Sequence, residues 1–392
     1  MMRRVYLDHS ATSKVDPRVL EVMLPFFDKK YGNASSLHTN GIEAHEALED
    51  ARIKVSQVLH ADPQEIIFTS GGTESNNTAL KGVAFTALAK GSPRRHIITS
   101  TIEHDCILNT CKWLETIGFR ITYLPVDKYG MVNPEMLDAT LNEDTLLVSI
   151  MHANNEIGTV QDIGELGKIA HEHGVSFHTD AVQSVTKLPI DVTNLNVDML
   201  SVSSHKIHGP KGVGCLYVKK GTKIDPLMHG GGHEKGFRSG TENVSGIVGF
   251  AEAMKIGEEE RPREMPRIEK LRDRLIKGVL EIENSWLNGH PQKRLPINAH
   301  FCFKFIEGES LILRLDMKGI SASTGSACSS KSLEPSHVLL AIGLPPEDAH
   351  SSLRLTLGRD NTEDDISHTL RILPEVVTDL RKISPFKNSY QE

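Results

Sequence analysis

The sequence predicts an α/β protein with a mostly parallel sheet between helices, followed by a smaller α+β unit. From about residue 63 to 218, short apolar strand patterns alternate with helix patterns, as in parallel sheets. Polar residues follow several of these strands, at the strand ends where parallel sheets collect functional groups. The 392 residues are enough for a large domain and a smaller one.

The large unit is predicted from its alternating elements in chain order. The third predicted helix ends before Gly174, because glycine favours the left-handed conformation that terminates helices. The predicted strands cover residues 65–70, 96–100, 120–126, 145–152, 175–180, 197–203 and 214–220. The predicted helices between them cover residues 74–90, 105–118 and 163–174.

The rest of the chain predicts a second, smaller unit. A charged helical region at about 251–283 connects the two, and Pro262 and Pro266 predict a break in it. Beyond it we predict strands at 297–305 and 351–358, helices at 309–319 and 334–343, a loop at 321–332 and a final helix from about 362. We therefore assign residues 16–258 to a large domain, and residues 1–15 and 259–392 to a small domain.

Composition narrows the classes of function. The net charge of −7 argues against nucleic acid as the main partner, since a phosphate-binding surface needs a basic field. No apolar run has membrane-spanning length and the N-terminus lacks a secretory pattern, so we predict a cytoplasmic protein. Five scattered cysteines without a C-x-x-C pair argue against a disulfide framework and a preformed zinc site.

Three polar features follow predicted strands. Gly71, Gly72 and Thr73 form either an anion-binding turn at a helix start or a simple tight turn. Asp180 ends a buried strand, so it either caps the next turn or pairs with a cation such as a protonated pyridine nitrogen. His104 either stacks on a flat ring and moves protons, or makes structural hydrogen bonds; Asp105 is a plausible N-cap beside it.

The stretch "SSHKIHGPKG" contains the fourth feature, Lys206, after a buried strand. A lysine there is costly as structure but common as a Schiff-base former. Ser203 and His205 could bind a phosphate, whereas Lys211 is expected on a solvated turn. An anion turn, a carboxylate and a lysine in this order are the groups that pyridoxal phosphate requires.

The chain resembles the NifS/IscS-type cysteine desulfurases, which are fold-type I pyridoxal-phosphate enzymes of the class V aminotransferase superfamily. The resemblance runs from about residue 5 to 360 and implies their fold. The motifs that carry it are "YLDHSAT", "YGNASSLH", "IIFTSGGTESNN", "EHD", "NNEIGTVQDI", "HTDAVQ", "SSHKIHGPKGVG", "RSGTEN", "GSACSS" and "LRLTLG".

The resemblance implies a role for each matching residue. Lys206 would bind the cofactor covalently, Asp180 would pair with its ring nitrogen, Gln183 would contact its 3′ oxygen, and His104 would stack on its ring and move protons. The phosphate would be bound by Gly72, Thr73, Ser203 and His205, and by Thr241 of a partner subunit. Asn33, Asn155 and Arg354 would bind the substrate, with Asn155 also near the cofactor.

The resemblance also implies the reaction and the partners. Cys328 would take sulfur from L-cysteine as a persulfide, releasing alanine, within a homodimer. The sulfur would pass to an iron–sulfur scaffold protein of the IscU/NifU type or to tRNA thiolation. No intrinsic metal is expected, although Cys328 would transiently ligate a cluster held with the scaffold. The alternatives are a selenocysteine lyase, an aminotransferase and a non-catalytic sulfur-transfer scaffold.

Four cysteines are expected to be structural and two positions depart from the family. Cys106 and Cys111 fall in a predicted helix, while Cys215 and Cys302 fall in strands, where free cysteine packs as a small apolar group. His9 replaces the asparagine usual in the family, and Gly72 replaces the alanine of many relatives.

Overall fold

The structure is a computed structural model that describes residues 3–325 and 334–385. Its strands in chain order are β1 (Val5–Tyr6), β2 (Ile66–Thr69), β3 (His96–Ser100), β4 (Arg120–Leu124), β5 (Thr145–Ser149), β6 (Ser176–Asp180), β7 (Met199–Ser203), β8 (Gly214–Val218), β9 (Ser285–Asn288), β10 (Asn298–Phe303), β11 (Ile320–Ser321) and β12 (Ser352–Thr356). Its helices are α1 (Pro17–Met23), α2 (Pro25–Asp28), α3 (Thr39–Leu59), α4 (Gly72–Ala89), α5 (Asp105–Glu115), α6 (Pro134–Thr140), α7 (Ile163–Glu172), α8 (Val244–Val279), α9 (Gly308–Asp316), α10 (His337–Ala341), α11 (Pro346–Ala349) and α12 (Glu363–Ile383).

A seven-stranded sheet forms the centre of the larger part of the chain. Its strand order is β2-β8-β7-β6-β5-β3-β4, and β8 alone runs antiparallel to its neighbours. Every residue of β2, β3, β7 and β8 is buried, as expected for strands covered by helices on both faces. The predicted α/β fold with a mostly parallel sheet is confirmed.

Two large apolar cores share the long helix α8, whose first half belongs to one core and whose second half belongs to the other. The first contains side chains of the seven-stranded sheet and of α3, and the second is built around the three-stranded sheet β12-β10-β9 with α9 and α12. Val5 and Leu7 of the N-terminal segment belong to the second core. The division at residues 15/16 and 258/259 stays a prediction.

The predicted break at Pro262 and Pro266 is wrong, because α8 runs without interruption over 36 residues. Both prolines are exposed and are four residues apart, so they lie on the solvent side of the helix. The carbonyl groups that lose their N–H partners there can be hydrated, and ion pairs such as Arg261–Glu258 support the turn.

No helix within residues 3–325 and 334–385 is both long enough and apolar enough to cross a membrane.

Candidate active site

Four polar segments meet at one edge of the seven-stranded sheet. Strand β6 ends at Asp180 and the adjacent β7 ends at Ser203, so their carboxyl ends point the same way. A single turn of 3₁₀ helix, Ser204–Lys206, follows β7 directly. The Gly71–Gly72 turn between β2 and α4 lies against Ser203. This edge therefore contains the predicted phosphate turn, ring partner and lysine.

Lys206 lies half-buried against the N-terminal segment. Its Nζ donates hydrogen bonds to the carbonyl oxygens of Ser10 at 2.6 Å and Ala11 at 2.8 Å. The backbone N–H of Ser13 donates to the carbonyl oxygen of His205 at 2.9 Å, which fixes the same segment beside the lysine. The amine is thus directed across the strand ends rather than into bulk solvent.

Asp180 is buried and receives hydrogen bonds from neutral groups. The Val182 N–H donates to Oδ1 at 2.9 Å, and Asn76 Nδ2 donates to Oδ2 at 2.7 Å. No ion pair of Asp180 occurs in the described part of the chain. A buried carboxylate held by neutral donors suits a cationic ligand such as a protonated ring nitrogen.

The glycine turn is close-packed and ends in a helix start without a side-chain cap. Gly71 has φ of +146°, which favours glycine, and α4 begins at the next residue with no side chain capping it. A Cβ on Gly72 would come within 2.7 Å of Val182 Cγ2. The first N–H groups of α4 are therefore available to an anion next to Ser203 and the exposed Thr73.

His104, and not Asp105, caps helix α5. The Cys106 N–H donates to His104 Nδ1 at 3.2 Å, so the sequence-based N-cap assignment of Asp105 is wrong. A neutral His104 therefore carries its proton on Nε2. Asp105 is the first helical residue, where its charge favours the helix N-terminus without capping it.

Cys106 contacts the same cluster, which its helical position alone did not reveal. Its Sγ lies 3.1 Å from both His104 Nδ1 and Asn76 Nδ2. Burial, followed by the nearby Asp180 charge, raises the pKa of the thiol to about 12. The raised pKa disfavours the reactive thiolate form of Cys106 near neutral pH, which supports the structural role predicted for this residue.

Gln183 and His205 complete the pocket. Gln183 Nε2 donates to the Ser10 carbonyl oxygen at 3.0 Å, while its Oε1 is buried and has no partner in the described chain. His205 Nδ1 lies 3.1 Å from Thr12 Oγ1. Burial, with Lys206 and Lys211 beside it, lowers the pKa of His205 to about 4. An unpaired Gln183 acceptor is what a ring hydroxyl would satisfy.

Arg354 lies in the second core and links three segments. Nη2 pairs with Asp8 Oδ1 at 2.9 Å, and Nη1 donates to the Asn155 carbonyl oxygen at 3.0 Å. Its Nε is buried without a partner in the described chain. The guanidinium is therefore held beside Asn155, and its Nε is a buried donor that a substrate carboxylate could use.

The structure does not bring every predicted residue to this edge. Asn33 is exposed and its Oδ1 accepts the Ser35 N–H at 2.9 Å, and Thr241 is also exposed. Within the described chain neither has a hydrogen bond to Lys206 or Asp180. Cys328 lies outside the described residues.

Asn76 and Lys187 are residues near this edge that the sequence analysis missed, whereas the buried Glu103 is part of the quoted motif "EHD" and lies near Asp180. Burial raises the pKa of Glu103 to about 8, and its Oε1 accepts hydrogen bonds from the Ser100 hydroxyl and the Met151 N–H. Asn76 is four residues from Gly72, one helical turn into the quoted motif, so its spacing was a usable signal. No comparable spacing from a recognised motif pointed to Lys187.

The sequence of the chain matches a known protein family. The family described as aminotransferase class-V matches residues 5–368. The chain belongs to that family.

Individual relatives are similar over nearly the whole chain. A cysteine desulfurase IscS of Methanosarcina thermophila is 54% identical over 383 residues, covering 98% of this chain and 94% of that protein. A cysteine desulfurase IscS of Dictyoglomus turgidum is 52% identical over 392 residues, covering 100% and 99% of the two chains.

Solved structures show the same fold. A NifS-like protein has a TM-score of 0.91 at 43% identity, covering 96% of this chain and 100% of its own. A NifS-like protein from Rickettsia africae has a TM-score of 0.87 at 33% identity, with the same coverage. The fold-type I assignment of the class V aminotransferase family member is thus confirmed.

Proposed function

We propose that this chain is a pyridoxal-phosphate-dependent L-cysteine desulfurase that attaches its cofactor at Lys206 and receives sulfur on Cys328. The observation that carries the proposal is that Lys206 and Asp180, a buried carboxylate bound by neutral donors, both lie at one edge of the sheet. The class-V match and the cysteine desulfurase names of relatives at 50–54% identity support the same activity.

The pocket has a group for each part of the cofactor. The Gly72 turn, Thr73, Ser203 and His205 would bind the phosphate, and Asp180 would pair with the ring nitrogen. Gln183 would contact the 3′ oxygen through its unpaired Oε1. When bound, pyridoxal phosphate supplies an electron sink for bonds next to the substrate amine.

His104 and Arg354 would act on the substrate side. With Nδ1 accepting the Cys106 N–H, His104 has Nε2 to hold or deliver a proton. Arg354, together with Asn155 and Asn33, would orient the carboxylate of L-cysteine. Each of these side chains binds or orients, and the fixed tautomer of His104 determines which nitrogen exchanges the proton.

Cys328 would accept the sulfur. Its thiolate would attack the substrate sulfur, forming an S–S bond as the carbon–sulfur bond breaks, and the alanine product would leave after taking up a proton. The persulfide would then pass to an iron–sulfur scaffold protein or to tRNA thiolation. We further propose a homodimer, in which Thr241 of each subunit reaches the phosphate site of the other.

The reaction itself tests Cys328. L-Cysteine with a reductant should yield equimolar alanine and sulfide, measured by amino-acid analysis and a sulfide assay. Cys328→Ala should abolish sulfide release, whereas Cys111→Ala, a buried cysteine away from the pocket, should retain most of it. Sulfide release at the wild-type rate by Cys328→Ala would rule out the persulfide step.

The absorption spectrum tests Lys206. The purified protein should be yellow and should carry a cofactor that borohydride fixes covalently to Lys206, as shown by peptide mass spectrometry. Lys206→Ala should lose both the covalent bond and multiple turnover. Lys211→Ala, which removes an exposed lysine five residues away, is the matched control and should keep both.

A further inference from the structure

A second lysine lies directly behind Lys206. Lys187 is only 8% exposed, and its Nζ donates a hydrogen bond to the carbonyl oxygen of Lys206 at 3.2 Å. Lysine is seldom buried, because an ammonium loses most of its hydration there. None of the groups assigned to the cofactor or the substrate explains this position.

The residue before Lys187 has a strained backbone conformation. Thr186 has φ of +59°, a conformation that β-branched residues rarely adopt. A Cβ on Gly257 of α8 would come within 2.7 Å of the Thr186 side chain, so only glycine leaves room for this turn. Such strain persists where surrounding contacts enforce it and is frequent at functional sites.

Lys187 and Lys206 line one small cavity. Its volume is about 30 Å³, enough for a water molecule, and Met265 and Ile268 of α8 close one side of it. The titratable and charged groups that also line it are His9, His208 and Arg359.

No carboxylate compensates Lys187 in the described part of the chain. Arg359 is paired with Asp16 at 3.1 Å and Glu260 at 3.2 Å. Burial holds the pKa of His9 at about 3 and that of His208 at about 4, so both rings are neutral near pH 7. Lys187 is therefore the group of this cavity that is placed beside Lys206 and can take up a proton near neutral pH.

The protonation of one amine depends on the charge of the other. Burial, followed by the charge of Lys206, lowers the pKa of Lys187 to about 7. When Lys206 becomes neutral, the second of these causes disappears, and Lys187 binds a proton more readily.

We propose that Lys187 is the proton-accepting partner of Lys206, taking up the proton that Lys206 loses when the cofactor bonds to its Nζ. The inference rests on the proposed role of Lys206 as the attachment point. In that step the Lys206 ammonium group first gives one proton to the neutral Lys187 amine. The free Lys206 amine would then bond to the aldehyde carbon, and the aldehyde oxygen would leave as water with the two remaining protons of the amine. The proton returns when substrate displaces Lys206 and its amine is charged again. Lys187 acts through Lys206 and does not itself contact the substrate.

Proton counting tests the inference without measuring turnover. Titration calorimetry of pyridoxal phosphate into the cofactor-free full chain, in two buffers of different ionisation enthalpy, gives the protons released per cofactor bound. At pH 7.5 we expect Lys187→Met to release about half a proton more than the wild type. Below about pH 6 the two should agree, because Lys187 is then already charged.

Controls separate this inference from the proposed function. Lys211→Met removes an exposed positive charge nearby and should match the wild type, and Lys187→Leu is the second variant should Lys187→Met not fold. Equal proton release by the wild type and the Lys187 variant at pH 7.5, or a difference that does not change with pH, would overturn the role of Lys187. Failure of borohydride to fix the cofactor to Lys206 would instead overturn the proposed function.

Discussion

Two buried cationic side chains, Arg52 and Lys187, have opposite surroundings. Arg52 is surrounded by acceptors: its two terminal nitrogens each lie 2.9 Å from an oxygen of Glu234, and Nη1 also donates to the Ile66 carbonyl oxygen. Lys187 is also buried, but its hydrogen bond goes to a neutral carbonyl group. The first charge is matched by a carboxylate and the second is not.

Whether a buried charge has an oppositely charged partner indicates whether its role is structural. In the Arg52–Glu234 pair each charge is compensated by the other, and the pair connects α3, β2 and the turn at Glu234–Gly236. A charge bound by neutral groups remains responsive to a ligand. Asp180, with an amide and a backbone N–H as donors, is of the second kind.

The largest effect on stability is expected from breaking the matched pair. Glu234→Ala leaves Arg52 buried without its carboxylate and removes the acceptor of the Phe68 N–H, so unfolding free energy should fall by about 3–5 kcal/mol. Urea denaturation measures this. Glu49→Ala removes the partly exposed second partner of Arg52 and should cost less than about 1 kcal/mol. If both variants lost the same unfolding free energy, the buried Arg52–Glu234 pair would stabilise the fold no more than the partly exposed Arg52–Glu49 pair.

Removing the unmatched charge of Lys187 should stabilise the fold, whereas breaking the Arg52–Glu234 pair should destabilise it. The pKa of Lys187 is about 7 in the folded chain and 10.5 ordinarily, so between these values the unfolded chain binds more protons. The stability of the wild type should therefore rise with pH through this window. Lys187→Met should be more stable by about 2 kcal/mol at pH 6 and should lack that part of the rise, as urea denaturation at several pH values would show. A less stable variant at pH 6 would contradict the argument.

The smallest effect concerns the unmatched carboxylate. Asn76→Ala removes the amide donor of Asp180 Oδ2 and should weaken cofactor binding about tenfold, measured by titrating the cofactor-free protein with pyridoxal phosphate. Asn77→Ala is the control on the same helix, since Asn77 donates to the Thr73 carbonyl oxygen and does not contact Asp180. If both variants bind the cofactor equally well, Asn76 does not support Asp180.

Local patterns were sufficient to predict most of the fold and the position of the pocket. Alternating strands and helices predicted the parallel sheet, and the polar residues after its strands predicted the edge where Asp180, Ser203 and Lys206 meet. The strand that contains Cys215 and the helix that contains Cys111 were also predicted correctly.

What the sequence did not predict depends on tertiary contacts. Lys187 resembles any lysine after a turn until the structure buries it against Lys206. The cap of α5 depended on the orientation of the His104 ring, and the continuity of α8 on the solvent exposure of its two prolines. Burial, ring orientation and solvent exposure are set by the tertiary structure, so helix propensity and motif spacing do not predict them.

Helix α8 also has a mechanical consequence. At 1.5 Å per residue, its 36 residues form a rod of about 54 Å that belongs to both apolar cores, with Ile256 in the first and Ile268 in the second. The interval between them contains Pro262 and Pro266, where two backbone hydrogen bonds are missing on one side. Because a helix bends most easily where backbone hydrogen bonds are missing, we expect any bending of α8 between the two cores to centre on these two prolines.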